Sequence, residues 1–241
     1  MRNILICAMM ALAQAAAAAG TGCVYDLRGD VSLRQPGGDW QKARKGSPVE
    51  EGTGLRTGAG AWCELLFKDG TFIKLEEGSE AAALTLKADA ESRVFDFSFL
   101  KGKALWMAAK VKKALSKFTV RTPAAVCAVR GTDFSIQVST SGEALVGLFD
   151  GKVALTNDGG EKELLAGGEA EGAPGSLAVQ ARLSRLMQAE QRRYAKVKGR
   201  VERLRARLAA REDFIDDYMN RQRKALDDMD SRRAGKLKGR R

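Results

Sequence analysis

The chain holds few groups able to do covalent chemistry. It has no histidine, which removes Ser-His-Asp and Cys-His nucleophile systems, most catalytic zinc sites and histidine-ligated haem. Carboxylates are plentiful, with 30 Asp plus Glu, yet no acidic pair stands in a recognisable acid–base setting. The cysteines are Cys7, Cys23, Cys63 and Cys127. Cys63 and Cys127 fall in segments that read as strands. In an oxidising compartment they could bridge; otherwise each is a small buried hydrophobe. Arg130 stands inside the otherwise apolar run Val129–Phe134. Its fixed fork of donors suits either loop carbonyls and a carboxylate such as Asp133 or Asp150, or contact with a ligand or partner alongside Asp133 and Thr122. The expectation is a binding protein and not an enzyme, with no catalytic residue, cofactor or metal site.

The N-terminus bears on where that binding happens. A short basic start, Met1-Arg2-Asn3, precedes an apolar run and an alanine tract ending at Ala19-Gly20. That is the layout of a signal peptide over residues 1–19, with a small-residue cleavage site at Ala17–Ala19. The apolar run of about 16 residues is short of the ~20 needed to span a bilayer. The mature protein is expected to be periplasmic or secreted, without a transmembrane segment. Cys7 leaves with the leader. Cys23 follows Gly20-Thr21-Gly22 and is a candidate lipidated residue, which would make an outer-membrane lipoprotein, although Gly20 stands where such signals carry Leu.

From Val24 to about residue 172 the chain is a succession of short apolar runs cut by glycine turns. Trp62–Phe67 leads through Asp69-Gly70 into Phe72–Leu75, a strong hairpin signal because the turn needs positive φ. The pattern recurs at Gly142, at Asp150-Gly151 and at Asn157–Gly160. Turns at such intervals, with no long amphipathic helix between, predict an all-β roll, β-helix or sandwich of short antiparallel strands. Ala104–Lys117 is read as a strand through Leu105-Trp106-Met107 followed by a basic loop at Lys110–Lys117.

Several blocks occur in order along this region: Gly52–Gly58, Asp69-Gly70-Thr71, Leu100–Ala104, Phe118-Thr119-Val120, Thr122-Pro123-Ala124, Val129-Arg130-Gly131-Thr132-Asp133-Phe134, Gly151-Lys152-Val153 and Ala166–Glu169. This succession resembles the FecR domain family, whose clearest signature is a T-P segment followed by V-R-G-T-x-F. The resemblance implies a β domain serving as a periplasmic interaction module. The regulators that gave the family its name join such a domain to a transmembrane helix and a cytoplasmic anti-sigma segment. The signature also has a physical reading. Pro123 fixes its own φ and pushes Thr122 to extended backbone, and Gly131 permits a bend.

After Gly172–Ser176, read as a linker at 173–176, composition turns to strong helix formers. A 4,3 spacing runs Leu183, Met187, Glu190, Tyr194, Val197, Val201, Leu204, Leu208, Arg211, Ile215, Tyr218, Gln222, Ala225 and Met229. This predicts one long coiled-coil helix over 177–234, roughly 85 Å at about 1.5 Å per residue, with a disordered tail at 235–241. A narrow seam of that length calls for a second copy or a partner helix through residues 183–229. A solvated basic helix, or a hairpin broken near Gly199, is the alternative. The formal net charge of +11 falls wholly on this segment.

Two functions follow as expectations. One is an exported envelope protein whose β domain binds a protein or small ligand, oligomerised by its tail. The other is a structural protein that tethers anionic envelope polymer or lipid through the basic helix, or a signalling component linked to sigma-factor regulation. Nucleic acid is disfavoured, because a basic region of the zipper type precedes its zipper and is not dispersed through it.

Overall fold

The computed structural model describes residues 21–89, 91–110, 112 and 115–238. The expected leader at 1–19, with Cys7, lies outside the described residues. Strands come first in chain order: β1 (Gly22–Arg28), β2 (Val31–Arg34), β3 (Trp40–Lys42), β4 (Pro48–Val49), β5 (Gly54–Thr57), β6 (Trp62–Phe67), β7 (Phe72–Leu75), β8 (Glu80–Ala88) and β9 (Ser92–Met107). Then follow β10 (Leu115–Arg121), β11 (Val126–Val129), β12 (Asp133–Val138), β13 (Ala144–Asp150), β14 (Lys152–Asn157), β15 (Gly160–Leu165), β16 (Glu169–Ala173) and β17 (Ser176–Gln180). Two helices close the chain, α1 (Arg185–Ala210) and α2 (Phe214–Lys238).

The ladders make two layers. One sheet runs β4–β1–β6–β7–β9–β12–β13–β16–β17. The other runs β3–β2–β5–β8–β9–β10–β11–β14–β15. Strand β9 belongs to both, pairing with β8 and β10 through its first part and with β7 and β12 from Gly102 onward. Gly102 makes that passage possible. Its φ is +95, and a Cβ there would stand 2.5 Å from the Ser79 Cα, so no other residue fits. The main core draws Val24, Leu65, Trp106 and Phe134 from the first sheet and Phe95, Phe97, Phe118 and Val153 from the second. Trp106 is its hub, edge-on to Phe97 at 5.4 Å and stacked on Phe134 at 6.2 Å. Each such fully buried side chain contributes about 1.5–3 kcal/mol of transfer free energy.

The sheets differ in how their faces are covered. In the second sheet, the first part of β9 alternates between buried and half-exposed residues, as a strand with one wet face must. In the first, β6 and β12 are buried almost continuously. The reason is the helical tail, which lies on the outer face of the first sheet. Tyr194, Val197 and Val201 of α1 pack on Phe72, Leu105, Met107 and Phe149. Phe214, Ile215 and Met219 of α2 pack on Cys23 and Leu66.

Several sequence expectations need correction here. The tail is two helices and not one coiled coil, and it breaks at Arg211–Asp213, not near Gly199, which sits inside α1. Arg211 takes an extended conformation (φ −146, ψ 104), and Asp216 and Asp217 open the next helix, where acidic groups favour a new N-terminus. The 4,3 stripe from Leu183 to Tyr218 is largely buried against the chain's own sheet, Arg211 at the break apart, so that part of the seam assigned to a partner helix is filled, while Ala225 and Met229 stay exposed. Residues 173–176 are no linker: Pro174-Gly175 is the turn of the β16–β17 hairpin, and strand structure runs on to Gln180. Helix α2 continues to Lys238, through most of the expected disordered tail, because the residues after Gly235 are good helix formers. Asp150-Gly151 is a passage between layers and not a hairpin, since β13 pairs in the first sheet and β14 in the second. Of the expected basic loop at Lys110–Lys117, residues 111, 113 and 114 lie outside the described residues, and the part from Leu115 onward is strand β10.

Candidate functional site

The signature block is where the chain passes from the second sheet to the first. Thr122 and Pro123 make the corner between β10 and β11. The Thr122 backbone N–H donates to the Ala125 carbonyl at 2.9 Å, and its Oγ1 accepts from the Ala125 N–H at 3.0 Å. Both shape the turn. Beyond Val129 the strand ends, and Gly131, at φ +61, turns the backbone over. A Cβ there would stand 3.0 Å from the Lys110 Cα. Thr132 is fully buried, its hydroxyl donating to the Lys152 carbonyl at 3.2 Å. Phe134 enters the core against Trp106.

The two charged residues of the block part company at this turn. Asp133 goes to the outer face of the first sheet, under α1, where the Tyr194 hydroxyl donates to its Oδ2 at 2.9 Å. Burial pushes the Asp133 carboxyl above its ordinary pKa, with the Tyr194 hydrogen bond and the nearby Arg205 charge opposing. Arg130 stays on the second sheet, exposed. Of its two open readings, the tie to Asp133 or Asp150 is not seen among the described residues. Lys110 takes Asp150 at 2.8 Å, and Tyr194 takes Asp133. The buried arginine among the described residues is instead Arg93, whose Nη1 donates to Asp69 Oδ2 at 3.0 Å and to the Ala109 carbonyl at 2.9 Å.

Around Asp133 the tail is held by a line of polar anchors. Arg200 meets Glu64 with both guanidinium nitrogens, at 2.6 and 2.5 Å, and Glu64 is 3% exposed. The fork geometry is the strong kind of ion pair, and the glutamate holds the Arg200 guanidinium above its usual pKa. Arg205 donates to the carbonyls of Gly70 (3.0 Å) and Met107 (2.9 Å). Lys103 pairs with Glu190 at 3.1 Å, and Lys68 with Asp216 at 2.8 Å. The Tyr218 hydroxyl donates to the Tyr25 carbonyl. At the start of α1, Ser184 caps the helix by accepting from the Met187 N–H, while its own N–H donates to Glu169 at 2.7 Å. Gly147 of β13 is the socket for Met187, because a Cβ there would lie 2.6 Å from the Met187 sulfur.

The three cysteines among the described residues are unbridged and buried. Burial pushes the thiols of Cys23 and Cys127 up to about 12 and that of Cys63 higher still. Cys23 lies beneath Leu204, Phe214, Ile215 and Met219. Lipid on its sulfur requires α2 to leave the sheet. No group of three or more acidic or sulfur ligands is arranged for a metal among the described residues, and no helix among them is long and apolar enough to cross a membrane.

Two grooves adjoin this framework. One, of about 600 Å³, lies between the first sheet and the start of α1 and is lined by Lys103, Glu143, Glu169, Glu171 and Leu186 among others. The other, of about 290 Å³, lies on the bare face of the second sheet and is lined by Lys117, Arg130, Lys152 and Glu163 around Ala128 and Ala154.

Residues 53–154 match the family model described as "FecR protein". Two crystal structures of a "putative anti-sigma factor" from Parabacteroides distasonis ATCC 8503 are similar to the chain at 18% identity and a TM-score of 0.45. In each, the match covers 54% of this chain and 59% of the other. No curated protein matches the chain.

Proposed function

We propose, from the premise that residues 53–154 are a FecR-family domain, that the chain is an exported, non-catalytic binding module of the bacterial envelope. It works in the periplasm or beyond it, and its partner is a protein. The carrying observation is how the signature is spent. Its buried acid, Asp133, anchors the chain's own helix, while its arginine faces outward from a sheet that neither helix covers. A catalytic acid is set in a cleft facing substrate; this one is sealed under Tyr194. The leader pattern and the absence of histidine support the same reading.

A role as a signalling component is favoured over tethering of anionic polymer by the tail. Five of the tail's arginines are engaged internally. Arg193 pairs with Glu190, Arg200 with Glu64, Arg211 with Asp213 and Asp217, and Arg221 with Asp217. Arg205 is taken up by backbone carbonyls. The exposed Arg185, Arg192, Lys196, Arg203 and Arg207 of α1 remain for a tether, so the preference for signalling rests on the FecR match over residues 53–154.

Fractionation with native electrophoresis tests the proposal. The chain is expected in the periplasmic fraction without residues 1–19, in a complex that persists at high salt. A cytosolic chain that retains its leader overturns the reading. So does a complex that falls apart steeply with ionic strength and re-forms on anionic lipid.

A further inference from the structure

We propose that the open face of the second sheet is the docking surface for an extended acidic segment of a partner protein, read by Lys117, Arg130 and Lys152. The inference rests on the binding-module reading above and deepens it. The strand register sets these residues in one row. Phe118 pairs with Val129 and Val129 with Val153, so Lys117 of β10, Arg130 just after the end of β11, and Lys152 of β14 follow as the next row. All three are exposed and line the same groove. Lys117 and Arg130 have no ion-pair or hydrogen-bond partner among the described residues. Lys152 approaches only Glu163, at 3.6 Å, with both side chains well exposed. Three cations thus face one carboxylate on a sheet face that neither helix covers.

The floor and the margins specify the partner further. In the adjoining row Thr119 pairs with Ala128 and Ala128 with Ala154, so the floor is made of small residues and a chain can lie close to the sheet. The cationic row ends on Leu165, which pairs with Lys152 and is 61% exposed, and Leu115 stands two residues before Lys117 at 59% exposed. Cations bordered by bare leucines suit a ligand that carries both carboxylates and apolar side chains. A phosphate polymer has no use for the leucines, whereas an acidic polypeptide does. Adjacent strands lie about 4.8 Å apart, so the row spans roughly 10 Å. Same-side residues of an extended segment recur about every 7 Å, which brings two carboxylates within reach of the three cations. The guanidinium of Arg130 adds the planar fork that a carboxylate matches.

The probe is a fluorescent peptide built on Leu-Ser-Glu-Ser-Glu-Ser-Leu, which when extended sets two carboxylates and two flanking leucines on one side, titrated into the mature full-length chain by anisotropy. Polyphosphate and anionic phosphatidylglycerol vesicles are run in parallel. Saturable, salt-sensitive binding of the peptide is expected, weakened by about tenfold or more in the triple variant Lys117→Glu, Arg130→Glu, Lys152→Glu, as follows from three exposed charge contacts. Leu165→Ser is expected to weaken it less, and Lys42→Glu, on an edge strand outside the groove, to leave it unchanged. The residues are exposed, and an unchanged thermal midpoint shows that the triple variant is folded. Equal affinity in the triple variant overturns the proposal, as does binding of polyphosphate or vesicles through these residues in place of the peptide. Either result leaves the location and complex of the native protein, and hence the broader reading, to its own test.

Discussion

The hydroxyl of Tyr194, on the first helix, donates to Oδ2 of Asp133, in the middle of the signature block, at 2.9 Å across 61 residues of chain. The block is therefore a joint. On one side it fastens the helical tail, and on the other it presents Arg130 to solvent.

The joint responds to pH in a defined direction. Burial raises the Asp133 pKa in the folded state, so folding favours the protonated acid. Its contribution to stability is full below the ordinary carboxylate value and declines as pH rises through the raised one. Asp133→Asn keeps an acceptor for Tyr194 and removes the titration. The thermal midpoint of the wild type minus that of Asp133→Asn is expected to fall as pH goes from about 3 to about 7. Asp150 and Glu80, whose pKa values are lowered, give the opposite trend but are common to both proteins and cancel in the difference. A flat or rising difference refutes the account.

The Arg200–Glu64 pair yields to a double-mutant cycle. Arg200→Ala leaves a carboxylate at 3% exposure without its partner and should cost about 1–3 kcal/mol, less than a fully buried pair because Arg200 is 38% exposed. With Glu64→Gln already present, the same substitution should cost markedly less. Denaturant melts measure both, and additive losses would mean that the two residues do not interact.

Thiol reactivity reports whether the tail is seated. All three buried thiols should resist an aromatic disulfide reagent in the native protein and react together in denaturant. Ile215→Asp, placed in the cluster over Cys23, should release Cys23 while Cys63 and Cys127 stay protected. Prompt native labelling of Cys63 or Cys127 would contradict their place in the core.

Truncation separates the seated part of the tail from the projecting part. Residues 223–233 are exposed apart from a half-buried Leu226, so a chain ending at Gln222 should melt within about 2 °C of the parent. Ending the chain at Ser184 instead uncovers Phe72, Leu105, Met107 and Leu66, and strong dye binding or aggregation is expected. A well-behaved monomer from the shorter form would show that the helices add nothing to the core.

The β architecture was legible because glycine turns and apolar runs report local geometry. Asp69-Gly70 and Asn157–Gly160 formed the hairpins they predict. The destination of the tail was harder to read, since a 4,3 stripe looks the same whether it faces another helix or a sheet. Two signals pointed to the sheet. Trp62–Phe67 is apolar on both faces apart from Glu64, which is more than a strand with one wet side needs. Gly147 interrupts an apolar strand, a mark of close approach by another backbone or side chain. For Arg130 the sequence left an internal tie and an outward contact both open: the turn at Gly131 sends it and Asp133 to opposite layers, a separation no spacing reveals. Arg93, in a strand with no motif around it, gave no sign that it is buried.

The hydrogen bond from Tyr218 to the Tyr25 carbonyl joins positions 193 apart, and it bears on the order of assembly. A translocase or ribosome delivers the first strand long before the helix that roofs it. Until the last quarter of the polypeptide emerges, β1 and β6 present a greasy outer surface to water. Nucleation by local pairs cannot finish the job, and closure waits on the slowest loop in the molecule. Products of premature termination would therefore be sticky intermediates for chaperones or proteases to clear.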